Sequence, residues 1–156
     1  MGMLASFQAI PADTMDAARA DPAIAWEGGF EHEVDVDKAW HGLHWLLTGT
    51  DWTVSAGAGE AILGGERIGD DDEDEDVRLL APERVAAVAA ALASLPRETL
   101  AARYDPPAMA AAKIYPDIWV RDGAEALDYL LHYYDELAEF YAGAAERGDG
   151  VLASIG

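Results

Sequence analysis

The chain of 156 residues contains no cysteine, which excludes disulfides, thiolate metal sites and cysteine nucleophiles. Basic residues are also scarce, because ten of them stand against thirty acidic residues and the formal net charge is −20. No apolar run approaches the roughly 18 residues of a membrane span. Since this charge repels phosphate backbones and anionic lipids, we predict neither a nucleic-acid nor a membrane partner.

The remaining composition is that of a folded protein. Apolar residues make up 51% of the chain, which predicts one domain over residues 1–156. The N-terminal stretch lacks the basic residues that open a secretory signal, so we expect a cytoplasmic protein. Seven consecutive acids at 70–76 repel one another and predict a solvated loop at about 69–77. The acidity leaves a basic protein, a cation or a neutral small molecule as candidate partners.

Hydrophobic periodicity and capping residues predict the helices and strands. Asp35 is the expected cap of the second helix, Asp105 that of the fifth, and Asp122 with Glu125 forms a capping box for the last. Gly49 is the expected end of the second helix. Strands are predicted at 3–10, 61–63, 77–80 and 151–155, and helices at 12–20, 35–48, 82–92, 96–103, 106–112 and 122–147, with irregular chain at 117–121.

The order of these elements predicts the fold class. Few strands, several helices and a strand near each end of the chain favour an α/β domain with a small mixed sheet covered by helices. We expect a three-layer α/β/α sandwich, and a two-layer α+β domain is the alternative.

The helix at 35–48 carries the densest chemistry. Asp37, Trp40 and His44 are candidate ligand-binding residues, because side chains three or four residues apart share one helical face. His41 and His44 have neither the spacing nor the glutamate of a common zinc motif, so we predict no metal and no cofactor. The competing interpretation makes His44 a hydrogen-bonded core residue packed by Trp40.

A loop at 115–119 supplies the other candidates. Tyr115 and Trp119 flank a proline after a predicted helix, and loops carry function more often than regular elements do. The same aromatic side chains could equally serve only to pack irregular chain onto the core.

The last helix has an aromatic flank outside its predicted core stripe. Tyr129, Tyr133 and Phe140 are candidate partner-surface residues if they are exposed. Nucleotide-binding and nucleophile motifs are absent from the sequence, whereas thirty carboxylates offer too many pairs to choose from. The sequence therefore leaves open whether the protein is an enzyme.

Several segments resemble a known group, the YfbM-like bacterial proteins. They are the N-terminal Met-Gly-Met, the stretch D-x-D-K-x-W-x-x-L-H-x-x-L-T-G at 35–49, the tripeptide Ile-Tyr-Pro at 114–116, and the terminal helix with its strand. The resemblance covers nearly the whole chain and implies a three-layer α/β/α domain without an assigned activity. It also implies that His41 is variable, which weakens a two-histidine metal site, and that the acidic run is a local elaboration.

Two hypotheses about function follow. The first is a non-catalytic, immunity-like module that binds a basic protein, since an acidic surface accelerates such an encounter. The second is a small-ligand domain or enzyme with a pocket between the helix at 37–44 and the loop at 115–119. There Asp37 or His44 would act as acid or base, and Trp40, Tyr115 and Trp119 would form the walls.

Overall fold

The computed structural model describes residues 2–69 and 75–156, which form a five-stranded sheet covered by helices. The strands are β1 (Ala5–Ile10), β2 (Glu33–Asp35), β3 (Glu66–Ile68), β4 (Asp76–Leu80) and β5 (Gly150–Ile155), in the order β2-β1-β5-β4-β3. The predicted α/β sheet with its covering helices is confirmed. Every described strand pairing is antiparallel, so the mixed strand orientation that we expected does not occur among them.

The pleat of the sheet separates two hydrophobic cores, because alternate residues of a strand point to opposite faces. In β1, Ala5, Phe7 and Ala9 belong to the larger core, whereas Ile10 belongs to the smaller one. The register pairs Phe7 with Ala153, which extends the larger core across β5, while Leu152 extends the smaller core.

Helices of unequal extent cover the two faces. The smaller core lies under α1 (Met15–Ala20) and α2 (Ile24–Glu27). The larger core lies under the remaining helices, which are α3 (Trp40–Thr48), α4 (Pro82–Ala93), α5 (Arg97–Arg103), α6 (Pro106–Ala111), α7 (Trp119–Asp122) and α8 (Ala124–Arg147). The arrangement is the predicted three-layer α/β/α sandwich, with one thin outer layer.

Helix α3 packs unusually close to its neighbours. Gly42 makes this possible, because a Cβ atom there would lie 2.6 Å from Cη2 of Trp119 and 2.7 Å from Cδ2 of Leu130. The helix ends where predicted, at Gly49, whose φ of 74° is the left-handed conformation that glycine adopts without strain. Six of the nine residues in α3 are buried large apolar or imidazole side chains, namely Trp40, His41, Leu43, His44, Leu46 and Leu47.

Several local predictions are wrong. The capping box of Asp122 and Glu125 does not form, because α8 starts at Ala124 and makes no side-chain cap hydrogen bond. Asp35 ends β2 and accepts the N–H of Asp37 at 2.7 Å, so it closes a turn before α3 instead of capping a helix. Residues 61–63 form a turn rather than a strand, and the irregular segment at 117–121 contains the one-turn helix α7. By contrast, the cap of α6 at Asp105 is confirmed.

The predicted acidic loop lies only partly within the described residues. Positions 70–74 are outside them, and Asp76 belongs to β4, where it forms an ion pair with Arg78. Within residues 2–69 and 75–156, no single helix is long and apolar enough to cross a membrane. Only α4 and α5 taken together, bent by 85°, meet the criteria of length and composition.

Candidate functional site

Helix α3 and the 115–119 loop lie against each other, as the ligand-pocket hypothesis requires. Nδ1 of His41 accepts the backbone N–H of Tyr115 at 2.8 Å, and the rings of Trp40 and Tyr115 stack with centroids 5.8 Å apart. The N-terminal segment joins them, since Trp40 Nε1 donates to the carbonyl of Met3 at 3.0 Å and the Tyr115 hydroxyl accepts the Met3 N–H at 2.8 Å. Trp40 and Tyr115 therefore share one cluster.

Asp37 faces the last helix rather than Trp40. The hydroxyl of Tyr129 donates to Oδ2 of Asp37 at 2.8 Å and accepts the N–H of Lys38 at 3.1 Å. Asp37 has a φ of 52°, a left-handed backbone conformation that is strained for a residue with a side chain. Such a conformation persists only where contacts with neighbouring residues hold it. Burial, followed by the bond to Asp37, raises the pKa of Tyr129, so the phenol stays protonated and keeps donating.

We expect Tyr129→Phe to lower the free energy of unfolding by about 1–2 kcal/mol, because it removes both hydrogen bonds and leaves the Asp37 carboxylate without its phenol donor. Urea denaturation followed by circular dichroism measures the change. Tyr133→Phe is the matched control one turn further along α8, since the Tyr133 hydroxyl bonds to none of the described residues. Equal stability of the two variants would show that the Tyr129 hydroxyl holds nothing in place.

His44, predicted as an acid or base, and Trp119, predicted as a pocket wall, are core residues, as the competing interpretation of His44 proposed. Both side chains are completely inaccessible to solvent. Trp119 donates to the carbonyl of Ile114 at 2.8 Å and fills the space above Gly42. His44 could therefore not reach a ligand as a general acid or base without opening of the core.

The two buried histidines of α3 hold the chain that follows the helix. Nε2 of His41 donates to the carbonyl of Asp51, and Nε2 of His44 donates to the carbonyl of Thr53, each at 2.9 Å. The donors can be assigned because a carbonyl oxygen only accepts. These two carbonyls flank Trp52, whose indole lies over the imidazole of His41 with ring centroids 4.3 Å apart. The histidines thus fix the backbone on both sides of an exposed tryptophan.

A cleft of about 350 Å³ lies where the ligand-pocket hypothesis places one, between the start of α3, the 115–119 loop and α8. None of the five predicted ligand-binding residues, Asp37, Trp40, His44, Tyr115 and Trp119, is among the residues that line it. The lining residues are Lys38, Pro116, Ile118, Asp122, Glu125, Ala126 and Tyr129.

A second cavity borders Trp40, and sequence reasoning missed it. We call it the tryptophan pocket; its volume is about 200 Å³ and its lining is Met3, Trp40, Trp52, Leu63, Arg67, Asp76, Arg78 and Ile155. The alternation of charged Asp76 and Arg78 with apolar Val77 along β4 was the available signal, because it places the charged pair on one face of the strand.

The largest of these cavities is a groove of about 680 Å³ between the edge strand β2 and helix α8, which we call the acidic groove. Five carboxylates line it, from Glu33, Asp35, Glu136, Glu139 and Glu146, together with His32, Val34, Phe140, Ala142, Gly143 and Arg147. The guanidinium of Arg147 is engaged by Asp149 at 2.9 Å, so it offsets little of the negative charge in the groove.

The aromatic flank of α8 is half-buried rather than fully exposed. Tyr129, Tyr133 and Phe140 pack against the larger core. Tyr129 belongs to the Asp37 contact, Tyr133 packs edge-to-face on it with centroids 5.2 Å apart, and Phe140 lines the acidic groove. Burial and the nearby acids, Asp37 first among them, raise the pKa of Tyr133. Of the three candidate partner residues, Phe140 is the one that lines the acidic groove, whereas Tyr129 lines the cleft near the 115–119 loop.

No group of three or more histidine or carboxylate side chains is arranged to hold a metal ion in the part of the chain that the structure describes. The sheet order and the two helical layers define the class of protein as a three-layer α/β/α sandwich with an antiparallel sheet.

Comparison with known proteins gives the family. The chain belongs to the family described as a domain of unknown function (DUF1877), whose model matches residues 1–154. A protein of unknown function, YfbM from Escherichia coli, has the same fold with a TM-score of 0.80, at 21% sequence identity over 98% of this chain and 99% of that chain. The resemblance to YfbM-like proteins is thus confirmed, and at this identity the structural likeness shows the fold alone. A comparison with curated proteins finds no match.

Proposed function

We propose that the protein is a binding module whose acidic groove receives an extended, basic segment of a partner protein. The observation that carries the proposal is the coincidence of five carboxylates with an edge strand along one groove of about 680 Å³. A strand at the edge of a sheet offers backbone groups to an incoming chain, and carboxylates favour basic side chains on that chain.

The register of β2 identifies the backbone groups that are available. Val36 donates to Ala5, and Ala9 donates to the carbonyl of His32, so the bonds on either side of the Phe7–Val34 pair point toward β1. In an antiparallel ladder this leaves the N–H and C=O groups of Glu33 and Asp35 on the outer edge. Among the described strands, none pairs with that edge.

Charge supports the same occupant. A net charge of −20 attracts a basic partner from a distance. Close to the open strand edge, the five carboxylates of the groove make the facing side of α8 negatively charged. Phe140 supplies an apolar contact within the groove. Immunity-like neutralisation of a basic protein is the form of this activity that we propose.

The small-ligand alternative has weaker support. The cleft near α3 and the 115–119 loop offers the Tyr129 hydroxyl as a polar group, and that hydroxyl is already bonded to Asp37 and to the N–H of Lys38. A ligand that used this hydroxyl would have to break an existing contact. The other polar groups of the cleft, Lys38, Asp122 and Glu125, do not lie along an open strand edge as Glu33 and Asp35 of the groove do, which favours the groove.

The test uses a fluorescein-labelled peptide of alternating lysine and threonine, which is basic and extended. We expect salt-sensitive binding, and we expect Glu139→Gln combined with Glu146→Gln to weaken it about three- to tenfold. The matched control, Glu27→Gln with Glu83→Gln, removes the same charge from exposed positions outside the groove. Fluorescence anisotropy measures each dissociation constant.

A second peptide separates strand pairing from charge alone. Methylation of alternate backbone nitrogens keeps the lysine side chains and removes half of the donors, and it should weaken binding to the wild-type protein. Equal loss of affinity in the two double variants, or equal binding of the two peptides, would contradict the proposal, because either result indicates diffuse attraction to the whole surface.

A further inference from the structure

We propose that the tryptophan pocket is a binding site for a single neutral, polyhydroxylated ring of the pyranose type. This inference goes beyond the acidic groove and is independent of it. The site shares no lining residue with the cleft near the 115–119 loop, and it uses residues of the loop after α3 and of strands β3 and β4.

The position of Trp52 is the first argument. Its side chain is 57% exposed, so it contributes little to the core, yet His41 and His44 fix the carbonyls on both sides of it. Burying two imidazoles to hold an exposed ring is costly for stability alone, because it leaves Nδ1 of His44 without a hydrogen-bond partner among the described residues. A preorganised aromatic wall at the mouth of a cavity is what a ligand site requires.

The shape of the pocket is the second argument. Trp40 and Trp52 meet at an angle of 45° with centroids 6.1 Å apart and form two walls. The volume of about 200 Å³ suits one six-membered ring, since an apolar cavity of about 150 Å³ accommodates benzene. An indole face packs well against the carbon-bound hydrogens of a pyranose ring, because these hydrogens present an apolar surface to it.

The charged side chains at the rim of the pocket favour a ligand with neighbouring hydroxyl groups. The guanidinium of Arg78 bonds both carboxylate oxygens of Asp76, through Nε at 3.1 and 3.2 Å and through Nη2 at 2.8 Å, and Nε of Arg67 lies 3.6 Å from Oδ1. Donors and acceptors thus stand side by side, which matches adjacent hydroxyls, since each hydroxyl both donates and accepts.

Charge argues for a neutral ligand. Asp76 forms ion pairs with both Arg78 and Arg67, so the carboxylate and the guanidiniums at the rim partly compensate one another. The net charge of −20 repels an anion at long range, and the indole walls supply no oxygen ligands for a hydrated metal cation. Arg78 also donates to the carbonyl of Leu63 at 2.7 Å, and this hydrogen bond fixes the orientation of the Arg78 guanidinium.

The experiment titrates the full chain with a panel of methyl hexopyranosides (glucoside, galactoside and mannoside). Saturation-transfer NMR on the glycosides reports binding, because tryptophan fluorescence would change with any variant that removes a fluorophore. We expect at least one glycoside to bind with a dissociation constant on the order of 1 mM, as suits a ligand of this size. Trp52→Ala should weaken it about tenfold or more.

Two further variants sharpen the test. Asp76→Asn keeps the size of the rim side chain and removes its charge, and it should also weaken binding. Val54→Ala, two residues from Trp52 and 42% exposed, is the matched control and should leave the affinity unchanged. Circular dichroism confirms that each variant is folded.

The opposite results are equally clear. Saturable binding of benzoate or tetramethylammonium without binding of any glycoside would overturn the proposal in favour of an ionic ligand. Absence of saturable binding across the panel, or glycoside binding that survives Trp52→Ala, would overturn it as well. None of these results depends on the basic peptide, whose groove is lined by other residues.

Discussion

Replacing Trp119 with alanine is expected to lower the free energy of unfolding by about 3–5 kcal/mol, because the indole is completely buried and its removal leaves a large cavity. The surroundings cannot easily collapse into that cavity. Gly42 has no side chain to fill it, and the edge-to-face contact with Tyr104, with centroids 6.4 Å apart, is lost. The carbonyl of Ile114 also loses its donor. For a domain whose total stability is about 5–15 kcal/mol, this is a severe change.

Equilibrium urea denaturation, followed by circular dichroism, measures the effect. Val120→Ala is the control, since this neighbour in α7 is 65% exposed and its replacement should change stability by less than about 0.5 kcal/mol. Trp119→Phe should fall between the two because it fills part of the cavity. If Trp119→Ala were as stable as Val120→Ala, the indole would be a displaceable pocket wall, as the ligand-pocket hypothesis first assumed.

Trp119 also illustrates what a sequence can and cannot predict. The ligand-pocket hypothesis places Trp119 near helix α3, and the indole does lie against Gly42 of that helix. Whether the ring faces solvent or the core depends on Gly42, which lies 77 positions earlier and leaves room for it. Local patterns carry no information on such a long-range fit, so the residue was assigned to a pocket.

Elements with strong local signals were predicted well. The apolar stripe of α8 and the proline at the start of α4 give their approximate bounds, and Asp105 caps α6 through the N–H of Ala108 at 3.2 Å. Strands β1 and β5 are short apolar runs bounded by turn residues. In each of these cases the sequence contains both the driving force and the stop signal within one segment.

Elements that depend on a partner were missed. Strand β2 has only three residues, two of them acidic, and it exists because β1 provides its hydrogen bonds. Strand β3 similarly depends on β4, with Arg67 opposite Arg78. The acidic groove and the tryptophan pocket are both lined by such strands. Sequence reasoning therefore found Trp40 and Phe140 but could not find the surfaces that face them.

Acid is expected to destabilise the protein through His44. Burial lowers the pKa of His44 from 6.5 to about 4, because the charged imidazolium would be desolvated in the core. Its Nε2–H donates to the carbonyl of Thr53, and a proton added at Nδ1 would find no acceptor among the described residues. His41 is also neutral with its proton on Nε2, because its Nδ1 accepts the backbone N–H of Tyr115. Burial lowers the pKa of His41 as well.

The direction of this pH effect depends on whether the folded or the unfolded chain binds the proton of His44 more tightly. Between pH 6.5 and about 4 the unfolded chain is protonated at His44 and the folded chain is not. Stability from the neutral imidazole is thus complete above pH 6.5 and is lost as the pH falls toward 4. The pKa difference corresponds to about 3 kcal/mol, most of which is lost by about pH 4.5.

The high net charge acts in the opposite direction. Protonation of carboxylates in the same pH range relieves self-repulsion in a protein with a net charge of −20, which stabilises the folded state. The pH dependence of the wild-type protein is therefore a sum of two effects, and only a variant that removes the imidazole separates them.

His44→Gln provides that separation, because an amide can still donate to Thr53 and does not titrate. At about pH 7 the variant should be less stable than the wild-type protein by about 1–3 kcal/mol, since Gln packs less well there. At about pH 4.5 the difference should shrink by about 2–3 kcal/mol or change sign, because only the wild-type protein has lost the histidine contribution. Urea denaturation at both pH values gives the four free energies. A difference that stays constant between them would mean that His44 takes up its proton without cost in the folded core.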